Sequence, residues 1–175
     1  MKIVIVDDTS IKIESFRFTC DLAGIPQEDI IEINCLELGD IRLTIRERIK
    51  EIKVEQEEVT LVLDWGFPSA DRDLLAEEIF YDLTEGVLEK GDAIICNGDR
   101  SQFSQYIKFL DRKEKGYQSI EVNAGNRMIE TEGILIISPK DWSAVNGLNE
   151  IIRFKLEGKG ESNLETSRSG IEKEL

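Results

Sequence analysis

Apolar positions along the chain fall into two patterns, short continuous runs and longer stripes with helical spacing. The continuous runs have the length and composition of strands that are buried on both faces of a parallel sheet. They lie at Ile3–Val6, Ile30–Ile33, Thr60–Leu63 and Ala93–Cys96. The stripes predict amphipathic helices, which alternate with these strands. This alternation predicts an α/β protein with a right-handed parallel sheet and helices on both of its faces.

The second half of the chain continues the alternation less regularly. Ser119–Val122 and Gly133–Ile137 both have strand character, and residues 123–126 between them have the composition of a turn. We therefore expect a fifth strand together with an extra strand or hairpin. A last helix is predicted from Asp141, with Trp142, Val145, Leu148 and Ile152 facing the core.

The length and charge of the chain limit the classes of function. Its 175 residues carry 36 acids and 22 bases, a net charge of −14, and no histidine. Without histidine there is no Ser-His triad, no His-ligated zinc and no phosphohistidine carrier. So acidic a surface predicts neither a nucleic-acid nor a membrane partner. Residues 1–156 form one predicted domain with no output domain after it, and residues 157–175 form a polar tail that we expect to be flexible.

The cysteines and the N-terminus bear on the compartment. Cys20, Cys35 and Cys96 are widely spaced and lie in or beside apolar stretches. They are predicted to be buried free thiols, typical of a reducing cytoplasm. The chain enters its first strand directly, and no apolar run approaches the ~20 residues that cross a bilayer. We therefore expect a cytoplasmic protein.

Carboxylates follow two of the predicted strands. Asp7 and Asp8 come directly after the first strand, and Asp64 comes directly after the third. Open α/β sheets place their chemistry at the carboxyl ends of the strands, so these three side chains are expected to converge. Carboxylates a few Å apart repel one another and their pKa values rise unless a cation neutralises them. A hard divalent ion bound by carboxylates and water suits Mg²⁺.

The order of these residues resembles the receiver domain of two-component response regulators. The resemblance extends over 1–156. It rests on Asp7 and Asp8, on Asp64 with Pro68 four residues later, on a polar residue ending the fourth strand, and on a proline before the last helix. It implies a flavodoxin-like three-layer α/β/α sandwich with a central parallel sheet of order 2-1-3-4-5.

The resemblance also implies roles for individual residues. Asp64 would accept a phosphoryl group, and Mg²⁺ would be held by Asp7, Asp8, Asp64 and the backbone carbonyl of Gly66. The implied partners are a histidine kinase or phosphotransfer protein and a downstream protein partner.

Two positions depart from the receiver pattern. Asn97 stands where receivers carry Thr or Ser after the fourth strand. Ser138 stands where they carry a lysine after the fifth strand, or Asn123 does if Ser119–Val122 is that strand. Lys140 lies two residues further on. Losing one preorganised donor of this kind costs about 10²–10³ in rate. These departures weaken the expectation of an ordinary phosphorylation switch.

The sequence leaves other readings open. The chain can be a pseudo-receiver, a protein-interaction module that acts without phosphorylation. A Mg²⁺-dependent phosphatase with Asp64 as nucleophile would need an acid at the position of Gly66. The three acids can also be helix caps without further function. Trp65 and Phe67 beside Asp64 are expected either to pack against the loop or to contact a partner.

Overall fold

The computed structural model describes residues 1–35, 40–55, 58–65, 67, 71–98, 101–123, 125–141 and 143–171, with side chains as far as residue 158. The strands are β1 (Lys2–Asp7), β2 (Ile30–Asn34), β3 (Val59–Leu63), β4 (Ala93–Cys96), β5 (Gln118–Ile120), β6 (Arg127–Thr131) and β7 (Ile134–Ser138). The α-helices are α1 (Ser10–Leu22), α2 (Ile41–Glu55), α3 (Arg72–Gly86), α4 (Gln102–Arg112) and α5 (Ala144–Ile171), and a 3₁₀ turn spans Gln27–Asp29.

All seven strands form one sheet, in the order β2-β1-β3-β4-β7-β6-β5. The pairs from β2 to β7 are parallel, and β7-β6 and β6-β5 are antiparallel. The predicted α/β class and the strand order 2-1-3-4 are confirmed. The fifth parallel strand is β7, and β6 and β5 extend the sheet beyond it.

Strand β6 was not predicted, although an extra strand or hairpin was expected in this region. Glu132 and Gly133 join β6 to β7, and both have positive φ, 52° and 83°. A two-residue hairpin of this kind is usually marked by Asn-Gly or Asp-Gly. Because the turn here is Glu-Gly, the sequence signal for the hairpin is weak.

Two apolar cores lie on opposite faces of the sheet. Alternate residues of each central strand point to opposite faces, so Val4 and Val6 join one core while Ile3 and Ile5 join the other. The first core also contains buried residues of α2, α3 and α4, and the second contains those of α1 and α5. Helices on both faces explain why the strands read as continuous apolar runs.

The last helix differs from its predicted form in two ways. It begins at Ala144, where the Ser143 hydroxyl accepts a hydrogen bond from the Asn146 backbone N–H at 3.2 Å. Its buried stripe therefore includes Ile151, and Ile152 is 37% exposed, so the expected inward orientation of Ile152 is wrong. The helix also continues past residue 156, and the expected flexibility of the tail stays a prediction. Trp142 lies outside the described residues.

Two further expectations concern the cysteines and membranes. Cys20, Cys35 and Cys96 are all free and buried, which confirms the prediction of buried thiols. In the described part of the chain, every helix is too short or too polar to cross a bilayer.

Candidate functional site

The three acids converge at one edge of the sheet, as the strand ends predicted. Val6 of β1 lies opposite Leu63 of β3 in the parallel register, so Asp7, the last residue of β1, and Asp64, the first residue after β3, lie side by side. The Asp64 backbone N–H donates to the Val6 carbonyl at 3.2 Å. One carboxylate oxygen from each of Asp7, Asp8 and Asp64 lies within 4.8 Å of the others. This buried acidic group could hold a metal ion.

Asp7 is the most deeply buried of the three acids. It is fully buried, and its Oδ1 accepts a hydrogen bond from the Thr9 backbone N–H at 2.9 Å. Its Oδ2 is buried without a hydrogen-bond partner, and within the described residues no other buried side-chain oxygen or nitrogen is left in this way. Burial, and then the charge of Asp64, raises the pKa of Asp7 to about 6. An unpartnered, desolvated carboxylate oxygen favours the approach of a cation.

Lys12 of α1 already brings positive charge to this pocket. Its Nζ lies 3.2 Å from Asp64 Oδ2 and 3.8 Å from Asp7 Oδ2. Burial of the ammonium works against its charge, but Asp64 and Asp7 together raise the pKa of Lys12. Lys12 was not predicted as a site residue, because a lone lysine on a helix is usually solvated surface. The available signal was its place five residues after Asp7, near the start of the following helix.

The two oxygens of Asp64 have different surroundings. Oδ1 accepts a hydrogen bond from the Trp65 backbone N–H at 2.8 Å, whereas Oδ2 faces Lys12. Trp65 is itself buried, and its indole N–H donates to Asp73 Oδ1 at 2.7 Å. Phe67 is buried as well, so both aromatic residues pack inside the protein, the first of their two expected roles. Oδ2 is therefore the oxygen of Asp64 that is not bonded to the Trp65 backbone N–H, and its partner is the Lys12 ammonium.

The other residues named from the sequence are placed less directly. Asn97 is half-buried after β4, and it lines a cavity of about 250 Å³ between α1 and the start of α5. Lys12 lines the same cavity, so Asn97 and the acid pocket are neighbours. Ser138 is half-buried at the end of β7 and is not among the residues that line this cavity. Gly66 and Pro68 lie outside the described residues.

Lys140 lies on a different surface from the acids. Its backbone N–H donates to Asn126 Oδ1 at 2.9 Å. Its side chain lines a second cavity together with Asn123 and Asn126, next to the turn that follows β5. Lys12, rather than Lys140, therefore provides the ammonium that contacts Asp64.

A buried amide connects the site to α4. Gln102 is fully buried, and its Nε2 donates to the Leu63 carbonyl at 2.8 Å and to the Tyr106 hydroxyl at 2.9 Å. Its Oε1 accepts from the Gly98 backbone N–H at 2.7 Å. Gln102 thus ties the end of β3, which carries Asp64, to the loop after β4. No pattern in the sequence separated it from the exposed polar residues of helices.

The donor set and its burial define what the site can do chemically. Carboxylate oxygens are the ligands that hard divalent cations prefer, and three of them lie within 4.8 Å of one another here.

No protein-family model, curated protein or solved structure matches this chain.

Proposed function

We propose that this chain is an atypical response-regulator receiver that takes part in phosphorelay signalling. Asp64 accepts the phosphoryl group, and Asp7, Asp8 and Asp64 hold Mg²⁺. The observation that carries the proposal is the buried acid cluster at the carboxyl edge of the sheet, with Asp7 Oδ2 left without a hydrogen-bond partner. Three carboxylates at this point exceed what helix capping requires.

The proposed reaction uses Asp64 Oδ2 as the nucleophile. This oxygen attacks the phosphorus of a phosphohistidine on a partner protein. A phosphorus–oxygen bond forms, and the phosphorus–nitrogen bond of the phosphohistidine breaks. The departing imidazole takes up a proton from solvent, and an aspartyl phosphate remains on Asp64. The Trp65 N–H, bonded to Oδ1 at 2.8 Å, holds the carboxylate so that Oδ2 points into the pocket. When bound, Mg²⁺ supplies positive charge against the carboxylates and the phosphoryl oxygens.

Both the metal and the partners belong to this proposal. Mg²⁺ is favoured because it is a hard cation that takes oxygen ligands such as carboxylates and keeps several of its waters. The partners are a histidine kinase or phosphotransfer protein, and a downstream protein that receives the signal. Their contact surface would include the exposed apolar residues of α1, which lie at a spacing of seven and four positions on the helix that carries Lys12. These residues are Ile11, Phe18 and Leu22.

Acetyl phosphate tests the proposal directly, because it donates a phosphoryl group with acetate as the leaving group. We expect the intact mass of the wild-type protein to show one phosphoryl adduct in the presence of Mg²⁺. The adduct should be absent from Asp64→Asn and when EDTA removes the metal. The matched control is Asp21→Asn, which removes an exposed acid at the far end of α1 and should keep the adduct. An adduct that persists in Asp64→Asn would place the chemistry elsewhere.

A second candidate is the pseudo-receiver, a module that binds a protein partner without phosphorylation. The contact of Lys12 with Asp64 favours it, because the ammonium already neutralises part of the pocket and Asp64 is only 3% exposed. The absence of any adduct, together with no change in Trp65 fluorescence on adding Mg²⁺, would support this second candidate.

A further inference from the structure

We propose that Lys12 is an exchangeable counterion, which pairs with Asp7 and Asp64 in the resting site and with the phosphoryl group after transfer. The inference rests on the proposed function. It assigns to Lys12 of α1 the pairing with the phosphoryl group, because Ser138 stands at the position where a lysine was expected. In this scheme Lys12 contacts the reacting groups directly through its charge, and it forms no covalent bond to phosphorus.

In the resting structure Lys12 contacts two of the three acids. The ammonium of Lys12 lies between the free oxygens of two acids, 3.2 Å from Asp64 Oδ2 and 3.8 Å from Asp7 Oδ2. Among the described Lys and Arg residues, no other forms an ion pair with these acids. Only the distance to Asp64 is that of a hydrogen bond, so Asp7 Oδ2 is left without a hydrogen-bond partner. Lys12 therefore compensates the pocket only in part.

Solvent reaches Lys12 far more easily than it reaches Asp64. The Asp64 side chain is almost fully buried, whereas the Lys12 side chain is 49% exposed. A metal ion or phosphoryl donor that binds Asp64 Oδ2 therefore competes with the ammonium for this oxygen. A divalent cation and the ammonium compete for the same two carboxylates, so each weakens the binding of the other.

A cavity lined by Lys12 can accommodate the displaced ammonium. Lys12 lines the cavity of about 250 Å³ between α1 and the start of α5, beside polar side chains from α1, from the loop after β4 and from the residue before α5. Those polar neighbours are Ser15, Thr19, Asn97 and Ser143. A lysine side chain is long and flexible, so the ammonium can leave Asp64 Oδ2 without movement of the backbone. From the cavity it remains within reach of a group carried on Asp64.

The test measures two affinities in one variant. Lys12→Met removes the charge and keeps the length of the side chain. Lys50→Met is the matched control, because it removes a half-exposed lysine on α2, paired with Glu47 at 3.4 Å, and changes the net charge equally. Mg²⁺ binding is measured by calorimetry. Binding of beryllium fluoride, a mimic of the phosphoryl group, is then measured at saturating Mg²⁺.

We expect the two affinities of Lys12→Met to change in opposite directions. Mg²⁺ should bind about tenfold more tightly, because its competitor is gone, and beryllium fluoride about tenfold more weakly, because its cation is gone. Lys12→Arg should restore the binding of beryllium fluoride, and Lys50→Met should change both affinities little. Thermal unfolding of each variant confirms that it is folded. A structural role for Lys12 would not separate the two affinities in this way.

The outcomes distinguish this inference from the proposed function. If wild-type protein binds beryllium fluoride but Lys12→Met leaves either affinity unchanged, or changes both in the same direction, Lys12 is not the counterion and the proposed function stands. If wild-type protein binds neither Mg²⁺ nor beryllium fluoride, the proposed function fails and the role of Lys12 fails with it.

Discussion

Asp7 carries an electrostatic penalty in the folded protein. It is fully buried, it lies beside two other acids, and only one of its oxygens has a hydrogen-bond partner. A pKa of about 6, against an ordinary value of 3.8, means that the folded protein holds the Asp7 proton more tightly than the unfolded chain does. The free energy of unfolding therefore falls as the pH rises through this range, by about 3 kcal/mol in total for the metal-free protein.

The variant Asp7→Asn tests this penalty. Asn has nearly the same shape, and its amide oxygen can keep the hydrogen bond from the Thr9 N–H. Without metal at pH 7.5, we expect Asp7→Asn to be more stable than wild type by about 1–3 kcal/mol. The advantage should shrink as the pH falls below about 6 and disappear below about pH 3, where Asp7 is protonated in both states. Urea unfolding across this pH range measures the difference, and equal stability at pH 7.5 would contradict the raised pKa of Asp7.

Gly98 is a second residue on which the site depends. A Cβ atom at this position would lie 2.7 Å from the Cβ of Trp65 and 2.8 Å from the Oε1 of Gln102. We expect Gly98→Ala to lower the free energy of unfolding by about 1–3 kcal/mol, because these well-packed neighbours must shift. Gly116→Ala is the control, since a Cβ there meets nothing within 4 Å. Thermal unfolding of the two variants is the measurement, and equal effects would mean that the loop at Gly98 adapts freely.

At the scale of elements, the end of β3 contacts α4 beside the site. Gln102 is the buried residue that makes this contact polar, through the Leu63 carbonyl and the Gly98 N–H. Tyr106, one turn further along α4, accepts a hydrogen bond from Gln102 and stacks on Phe80 of α3, with ring centroids 3.9 Å apart. A displacement of Asp64 would therefore be transmitted through Gln102 and Tyr106 to both α4 and α3.

Replacing Gln102 by Leu tests this connection. Leu fills about the same volume as Gln, but it leaves the Gly98 N–H without its acceptor. Because an unpartnered buried group costs about 1–3 kcal/mol, we expect a loss of stability of that size or somewhat more. Gln105→Leu, at a half-buried position on the same helix, is the control and should change stability by less than about 1 kcal/mol. Urea unfolding compares the two, and similar losses would argue against a special role for the buried amide.

At the scale of the whole molecule, the net charge of −14 attracts cations, and the acid pocket adds a local site for them. Surface charges are screened by salt within about 8–10 Å at ordinary ionic strength, whereas buried ones are screened less. Specific binding of Mg²⁺ in the pocket can thus be separated from general attraction by matching the ionic strength.

We expect Mg²⁺ to stabilise the folded protein measurably. At a concentration one hundred times its dissociation constant, a ligand adds about 2.7 kcal/mol, which corresponds to about 5–10 °C in Tm for a chain of this size. The shift should be largely lost in Asp7→Asn and retained in Asp21→Asn. The comparison is made by thermal unfolding against NaCl of equal ionic strength, and an equal shift in all three proteins would show that the effect of Mg²⁺ is not at the pocket.

Much of the architecture could be predicted from the sequence. The parallel strands were predicted because burial on both faces makes each one a continuous apolar run, and the convergence of Asp7 and Asp64 followed from strands that end at the same edge. The antiparallel β6 and the position of Ile152 were not predicted, because a Glu-Gly turn and the exact phase of a helix leave little trace in a single sequence.

The sequence by itself determined the fold class, the strands that carry the acids and the free state of the thiols, since these depend on residue type and short-range periodicity. Only the tertiary structure decided that Lys12 pairs with Asp64, that Lys140 does not, and that Gln102 is buried. These contacts join residues up to 52 positions apart, and a polar side chain on a helix looks the same in sequence whether it meets solvent or a neighbouring strand.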